Sequence, residues 1–515
     1  MTESPGFLTI DRIRQAEARA LANAAPGALM RQAATAVTQL ADQLLQRQSG
    51  PAPVIALVGP GNNGADALLS LMMLAQSGYA GRAFALEPQS ELPPDASHVH
   101  REWLGKGGLF HPLSTLPDHF PALSQRSGRR DGGLIIDGLF GIGLHKPLQG
   151  DAAAAAQLTH RLDSPVVAVD VPSGLNAATG AIVGGDRAAA VRASHTVTMI
   201  GNKAGLHTGA GKALAGQVQL ASLGLDCGTP DGLLLERAWV NARLTPRGRN
   251  THKGSYGSVG ILGGAPSMPG AALLAGNGAR CAGAGKVALI SPGRPVFDSG
   301  SAQLMAWSVN HPDELLQQLD GLNSVVAGCG LGTGEAVRAL LTTALSSPVP
   351  AVIDADGLNM IAADPQAPAL RLALSDRADR WPTVLTPHPL EAARLLGQTV
   401  AQVQNDRIAA ALSLAALTHC TVVLKGAGSI IAAPDGRQAI NSSGGPALAT
   451  GGTGDILAGV IGGLLAQGHT AWEAAAIGVW VHGRAGDQWT DQNPRATGLD
   501  TRQLLHELVS VFNTC

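Results

Sequence analysis

The chain has 515 residues, too many for one ordinary hydrophobic core, so two domains are expected. Hydrophobic residues make up 45% and charged residues 14%, a globular composition, and the 3% of aromatics argues against a stacking platform for single-stranded nucleic acid. A formal charge of −2 leaves no basic footprint, so no nucleic-acid partner is expected.

In chain order, Thr2, Glu3 and Ser4 do not begin a basic region leading into an apolar run, and no secretory leader is expected. Asp11 to Gln48 is rich in Ala, Leu, Gln and Arg and reads as one or two helices. Val54–Val58 is a short apolar run ending in Gly-Pro-Gly, hence a buried strand, and Ala65 to Gln76 reads as a helix stopped by Ser77-Gly78. Further strands are expected at 82–86, 134–137, 166–171, 195–200 and 217–220, alternating with helices such as 152–162. Residues 226–244 read as a linker with loops at both ends and a strand candidate at 233–240, which separates a first domain (1–225) from a second (245–515). In the second, strands are expected at 257–263, 286–290, 324–327, 351–354, 383–386 and 421–424. Helices are expected at 271–281, 335–345, 390–396, 456–467 and 471–487, and a hairpin around Pro434-Asp-Gly436. Apolar strands alternating with helices indicate parallel sheets covered on both faces, and no repeat relates the halves. The longest apolar helix candidate, Ile456 to Ala466, falls short of the ~20 residues that span a bilayer, so a soluble protein without a membrane partner is expected. The five scattered cysteines (Cys227, Cys281, Cys329, Cys420, Cys515) read as free thiols of a reducing cytoplasm.

Four segments of the first half deliver polar groups at strand ends, where ligands bind in parallel α/β sheets. Gly59-Pro-Gly-Asn-Asn-Gly-Ala-Asp66 joins a strand to a helix, and its glycines and helix N-terminus suit an anion. Asp137 precedes the glycine-rich Gly138–Pro147, Asp170 and Ser173 stand in Val169-Asp-Val-Pro-Ser-Gly174, and Lys203 follows a further strand, as a phosphate contact or a solvated surface lysine. Together these segments resemble the N-terminal epimerase domain of the bifunctional NAD(P)H-hydrate repair enzymes over residues 10–225. That family carries GPGNNGGDG, then D-x-x-F-G-x-G-x-x-x-P, then D-[VI]-P-S-G. The resemblance implies a Rossmann-like three-layer α/β/α domain and a K⁺ site of Asn63, Asp137 and Ser173, all hard oxygen donors. It implies substrate contacts at Asn62, Asn63, Gly64, Ala65 and Asp66, at Gly141, Ile142, Gly143, Leu144, His145, Lys146 and Pro147, and at Asp170. Asp170 is the first choice for acid/base work on the hydrated ring and Asp66 the second. Ala65 and Ala67 stand where the family has glycine; both are expected in the first helical turn, where alanine is tolerated.

In the second half, Asn441 to Asp455 ends in Gly451-Gly-Thr-Gly-Asp455 and leads into the helix expected at 456–467. Backbone N–H groups there suit a phosphate in flight, and Asp455 is placed to take a proton from a hydroxyl. Leu424-Lys-Gly-Ala-Gly-Ser429 could hold a nucleotide, and His388, between two prolines in Leu385–Glu391, stands at a strand end. Gly328–Gly334 and Ile353–Asn359 add a glycine turn and two carboxylates. The Gly-Thr-Gly-Asp arrangement is similar to the ribokinase-like fold. The full set, from Gly254-Ser-Tyr-Gly257 and Pro269-Gly-Ala-Ala272 onward, resembles the ADP-dependent NAD(P)H-hydrate dehydratases over about 245–510.

This second resemblance implies substrate contacts at Ala272, Gly332, His388 and Asp455. ADP would lie on Lys425, Gly426, Ala427, Gly428, Ser429 and Gly454, with Mg²⁺ as cofactor and Asp455 catalytic. The implied small-molecule partners are the hydrates of NADH and NADPH together with ADP, and a homo-oligomer is expected. Phosphorylation turns the ring hydroxyl into a good leaving group, and an epimerase in the same chain would rescue the C6 epimer that the dehydratase does not take. Two other readings compete: a ribokinase-like kinase of a vitamin-precursor alcohol, and a first domain that only binds.

Overall fold

The computed structural model describes residues 6–48, 53–87, 91–119, 133–363, 369–378 and 380–515, and the positions 2–4 considered above lie outside them. The chain divides into two compact units, one comprising Gly6–Asp231 and the other Gly232–Cys515. The expected linker 226–244 is therefore partitioned. Arg12 binds the carbonyl oxygens of Cys227 and Thr229 and the carboxylate of Asp231, tying residues 227–231 to the first unit. Strand Gly232–Leu235 pairs in parallel with Gln438–Asn441 and belongs to the second.

In the first unit seven parallel strands lie in the order Phe110–Pro112, Gly81–Ala85, Val54–Val58, Leu134–Gly138, Val166–Val169, His195–Met199, Gln217–Ala221. Val54–Val58 is buried along its whole length, as its unbroken apolar run requires of a central strand. From it the chain builds outward to one side, then returns to build the other side from Leu134–Gly138. The loops after these two neighbours, Gly59–Gly61 and Leu139–Leu144, thus flank the point where strand order reverses, the usual ligand crevice of such sheets. Backbones approach closely there: a Cβ on Gly59 would lie 1.7 Å from the Leu139 carbonyl oxygen.

The second unit repeats the logic. Its strands run Met305–Val309, Lys286–Pro292, Ser258–Leu262, Ser324–Ala327, Ala351–Ile353, Thr383–Leu385, Thr421–Leu424, Ile430–Ala432, Gln438–Asn441, Gly232–Leu235. All pairings are parallel except the two of the hairpin strand Ile430–Ala432. The reversal falls between Ser258–Leu262 and Ser324–Ala327, below the turns at Gly263–Gly264 and Gly328–Gly332. Helix Thr453–Ala466 lies backbone-to-backbone on helix Pro269–Cys281: a Cβ at Gly459 would sit 1.8 Å from the Ala275 carbonyl oxygen. That contact and the burial of Ile456–Ala466 anchor the start of this helix, where Asp455 stands. Among the described residues no helix is long and apolar enough to cross a membrane.

Candidate active sites

In the first unit a cleft of about 540 Å³ opens at the reversal point. Its walls include Asn62, Asn63, Asp66, Gly141, Ile142, Gly143, Leu144 and Asp170. The helix there starts at Asn62, three residues before the expected Ala65, so the loop is shorter than the sequence suggests and Asp66 sits inside the helix. Gly64 and Ala65 are buried behind the lining, and His145, Lys146 and Pro147 are exposed beyond it. Ala65 and Ala67 are both helical and fully buried, and neither has positive φ, so neither carries backbone strain.

Lys203 is neither a phosphate contact nor a surface lysine. It is fully buried, and its Nζ donates to Asp170 Oδ1 at 2.6 Å, to Thr198 Oγ1 at 2.9 Å and to the carbonyl oxygens of Met199 and Gly201. Asp170 also accepts from the Met199 N–H at 2.9 Å, and its backbone is held at φ 66°, a conformation that costs energy outside glycine. The strand end is strained so that this carboxylate faces the cleft. Asp66 is different in kind. Its Oδ1 is buried without a hydrogen-bond partner, and burial, followed by the charges of Asp170, Glu17 and Asp95, pushes its carboxyl well above the usual range. The site thus favours the protonated form of Asp66, whereas Asp170 is bound to a cation.

Asp137 is fully buried and accepts from the Ser173 N–H at 2.8 Å, Ser173 Oγ at 2.7 Å and the Leu139 N–H at 3.2 Å. Burial outweighs these bonds and lifts its carboxyl to about 6. Asn63 stands in the first turn of helix Asn62–Gln76; its side-chain nitrogen is buried without a hydrogen-bond partner, and its Oδ1 lies 3.2 Å from where a Cβ of Gly141 would stand.

Sequence reasoning passed over Glu17. It stands one turn after buried Ile13 on helix Ile10–Leu21 and lines the cleft with Arg14 and Asp95. A carboxylate on the buried stripe of an amphipathic helix was the available signal.

In the second unit, Lys425 Nζ meets Asp354 Oδ1 at 2.7 Å, with Asp354 only 2% exposed. Burial pulls the Lys425 ammonium down, but Asp354 and Glu391 outweigh it and hold it above its usual range. A Cβ on Gly454 would lie 3.5 Å from this Nζ, which brings the Lys425 loop and the start of helix Thr453–Ala466 together. Asp455 stands in that first turn. Burial, then the charge of Asp354, raises its carboxyl to about 6, while a hydrogen bond from Cys329 works the other way. Cys329, in the turn expected to hold glycines, is fully buried, and burial and the nearby Asp455 keep its thiol protonated.

Gly332, at φ 82°, donates its N–H to Asp356 at 2.8 Å, and the intervening Ala355 adopts φ 47°. His388 caps helix Pro389–Leu396: its Nδ1 accepts from the N–H groups of Leu390 and Glu391, which leaves the ring proton on Nε2, 3.2 Å from Glu391 Oε1. Glu391, a residue the sequence did not single out, is 4% exposed, and burial lifts its carboxyl to about 7. Beneath the Lys425–Ser429 loop lies the buried guanidinium of Arg407, which donates to the carbonyl oxygens of Leu424 and Lys425. Ser429 closes the loop by donating to the Gly426 carbonyl oxygen at 3.1 Å. Ala272 is fully buried in the first turn of its helix, so its side chain shapes the wall and offers no surface to a ligand.

The chain is similar to known proteins along most of its length. Residues 259–509 match the family model described as NAD(P)H-hydrate dehydratase, and residues 26–205 match that described as YjeF-related protein N-terminus. A bifunctional NAD(P)H-hydrate repair enzyme of Mycobacterium tuberculosis is 37% identical, covering 91% of each chain. One from Moorella thermoacetica is 34% identical, over 89% of this chain and 87% of that protein. An ADP/ATP-dependent NAD(P)H-hydrate dehydratase of Bacillus subtilis, solved with ATP and Mg²⁺, is 31% identical with a TM-score of 0.47, covering 55% of this chain and 98% of that one.

Proposed function

This chain belongs to the bifunctional NAD(P)H-hydrate repair enzymes, and from that membership we propose how its two units divide the work: the first interconverts the C6 epimers of hydrated NADH and NADPH, and the second dehydrates the S form with ADP. The juxtaposition of Asp455 with the Lys425–Asp354 pair at a helix N-terminus carries the second assignment. Asp455 takes the proton of the C6 hydroxyl as that oxygen attacks the terminal phosphorus of ADP, and AMP departs. Lys425 and the helix N-terminus balance the charge on the transferring phosphoryl group. Phosphate then leaves C6 as a proton leaves C5, restoring the dihydronicotinamide. The Lys425–Ser429 loop and Gly454 hold the nucleotide, and His388 and Gly332 border the hydrated ring, with Ala272 in the layer behind. Among the described residues no cluster of three His, Cys, Asp or Glu side chains could cage a metal ion, so Mg²⁺ fits as a companion of the nucleotide phosphates, with Asp356 the carboxylate beside them. When bound, it would neutralise phosphate charge.

In the first unit the hydroxyl of a C6 carbinolamine leaves with a proton from Asp66, giving a planar cation that water can re-enter from either face. Asp170, held by Lys203, lies against that cation as a fixed negative charge. This exchanges the order first expected for the two carboxylates. The oxygens of Asn63, Asp137 and Ser173 fit K⁺: all are hard donors, and among the described residues buried Asp137 forms no ion pair with a Lys or Arg. When bound, K⁺ would supply that countercharge and hold the two loops together. The five cysteines are free, in keeping with a cytoplasmic setting.

The rival reading, a kinase of a vitamin-precursor alcohol with a non-catalytic nucleotide-binding first unit, is weaker, because relatives that match along most of the chain are repair enzymes and residues 259–509 match the dehydratase family. The test is recovery of 340 nm absorbance from a racemic C6 hydrate of NADPH with ADP, Mg²⁺ and K⁺. Recovery abolished by Asp455→Ala supports the reading, and no recovery beyond the spontaneous rate overturns it.

A further inference from the structure

Epimerisation at C6 has a requirement that one acid does not meet. The hydroxyl must leave one face of the ring, and water must add to the other. The first step consumes a proton and the second releases one, on the opposite side. Enzymes that pass through a comparable flat, oxygen-flanked cation place one carboxyl on each face, an acid for the leaving oxygen and a base for the entering water.

Two of the carboxyls at the cleft already have parts. Asp66 rises from helix Asn62–Gln76, and Asp170 is tied down by Lys203. Glu17 comes from a third element, helix Ile10–Leu21, and lines the same cleft as Asp66 and Asp170. Ile13 and Ala16, 2% and 4% exposed, fix the register of that helix, so Glu17 is set at the rim of the core and not free on the surface. Resting on the epimerase reading above, we propose that Glu17 is the second proton-handling residue of this cleft, working on the face of the substrate opposite Asp66.

The protons balance. Asp66 gives its proton to the C6 hydroxyl, the C–O bond breaks, and water and the ring cation form. Water then adds to the other face of C6 and its surplus proton goes to the Glu17 carboxylate. The net change is inversion at C6 with one proton moved from Asp66 to Glu17, and the reverse epimerisation uses the same groups in exchanged roles. Either carboxyl must therefore be able to hold a proton near neutrality. Burial, then the charge of Asp170, pushes Glu17 up from its usual range against the opposing pull of Lys203 and Arg14. Glu17 and Asp95 in turn add to the upward push on Asp66.

The full-length enzyme carries two controls: the dehydratase of the same chain reports the amount of active enzyme, and an unchanged melting transition of the first unit in Glu17→Gln reports its fold. With racemic hydrate of NADPH, ADP, Mg²⁺ and K⁺, wild type is expected to recover 340 nm absorbance in two phases, the S form first and the R form after epimerisation. Glu17→Gln should leave the first phase intact and slow the second by ~100-fold relative to wild type, or down to the spontaneous rate. Glu17→Asp should restore part of it, and the second-phase pH profile of Glu17→Gln should lose one of its two limbs. A Glu17→Gln second phase within about threefold of wild type, or one that is slow with an unchanged pH profile, overturns the role of Glu17 alone. Wild-type recovery that stops near half removes the epimerase reading itself, and this inference with it.

Discussion

If Asp455 is the base of the phosphoryl-transfer step, the dehydratase rate must follow its ionisation. Burial and Asp354 set its carboxyl at about 6, so ionisation is half complete near that pH. Only the carboxylate accepts the hydroxyl proton, so activity rises with pH, from roughly a tenth of the plateau at pH 5 to roughly nine-tenths at pH 7. Cys329 donates a hydrogen bond that opposes the rise. Cys329→Ala removes that bond and moves the midpoint to higher pH, lowering the rate at pH 6 while leaving the plateau above pH 8 nearly unchanged. Asp455→Asn lowers the plateau itself by about 10²- to 10⁴-fold, the usual worth of a positioned base. The assay is the initial rate of absorbance gain at 340 nm on purified S hydrate with saturating ADP and Mg²⁺. A flat profile between pH 5 and 8, or an Asp455→Asn plateau within tenfold of wild type, refutes the assignment.

Lys425→Met leaves Asp354 buried without its cation, and a broken buried pair costs about 3 kcal/mol. Thermal melting should show the loss, and the double variant Lys425→Met, Asp354→Asn should regain most of the stability but none of the activity. Replacing K⁺ with choline at constant ionic strength should lower one unfolding transition of the full chain by several degrees, and Asp137→Asn should abolish the difference between the two salts.

The sheet strands were legible wherever an unbroken apolar run met a glycine turn, as at Val54–Val58, Ser324–Ala327 and Thr421–Leu424. Strand Met305–Val309 escaped notice because it is the sheet's edge, where partial exposure mixes polar residues into the run. Helix Arg407–Thr418 was missed for another reason: Ile-Ala-Ala-Ala-Leu is as apolar as a strand, and only Asp406, which caps it, marks its start. At the sites, glycine motifs announced the loops, since close backbone approach leaves a residue signature. Partners were not legible. Lys203 reads as any lysine until its strand end folds back on Asp170, and nothing local to Glu391 reveals that helix packing will desolvate it, whereas Glu17 at least shares the stripe of buried Ile13.

The two sites arrange charge in the sense their chemistries demand. The cleft of the first unit is lined by Glu17, Asp66, Asp95 and Asp170, with Arg14 on its wall and Lys203 spent on Asp170. The carboxylate of Asp170, with Glu17 beside it, suits a cation formed by loss of hydroxide from a ring nitrogen's neighbour. The second site sets Lys425 and a helix N-terminus beside Asp354, Asp455 and Glu391, so that donors to an anionic phosphoryl group stand next to a carboxylate that can take a hydroxyl proton. The substrate must leave one site for the other, and fusing the two units in one chain keeps both activities present in equal number wherever the damaged cofactor arises.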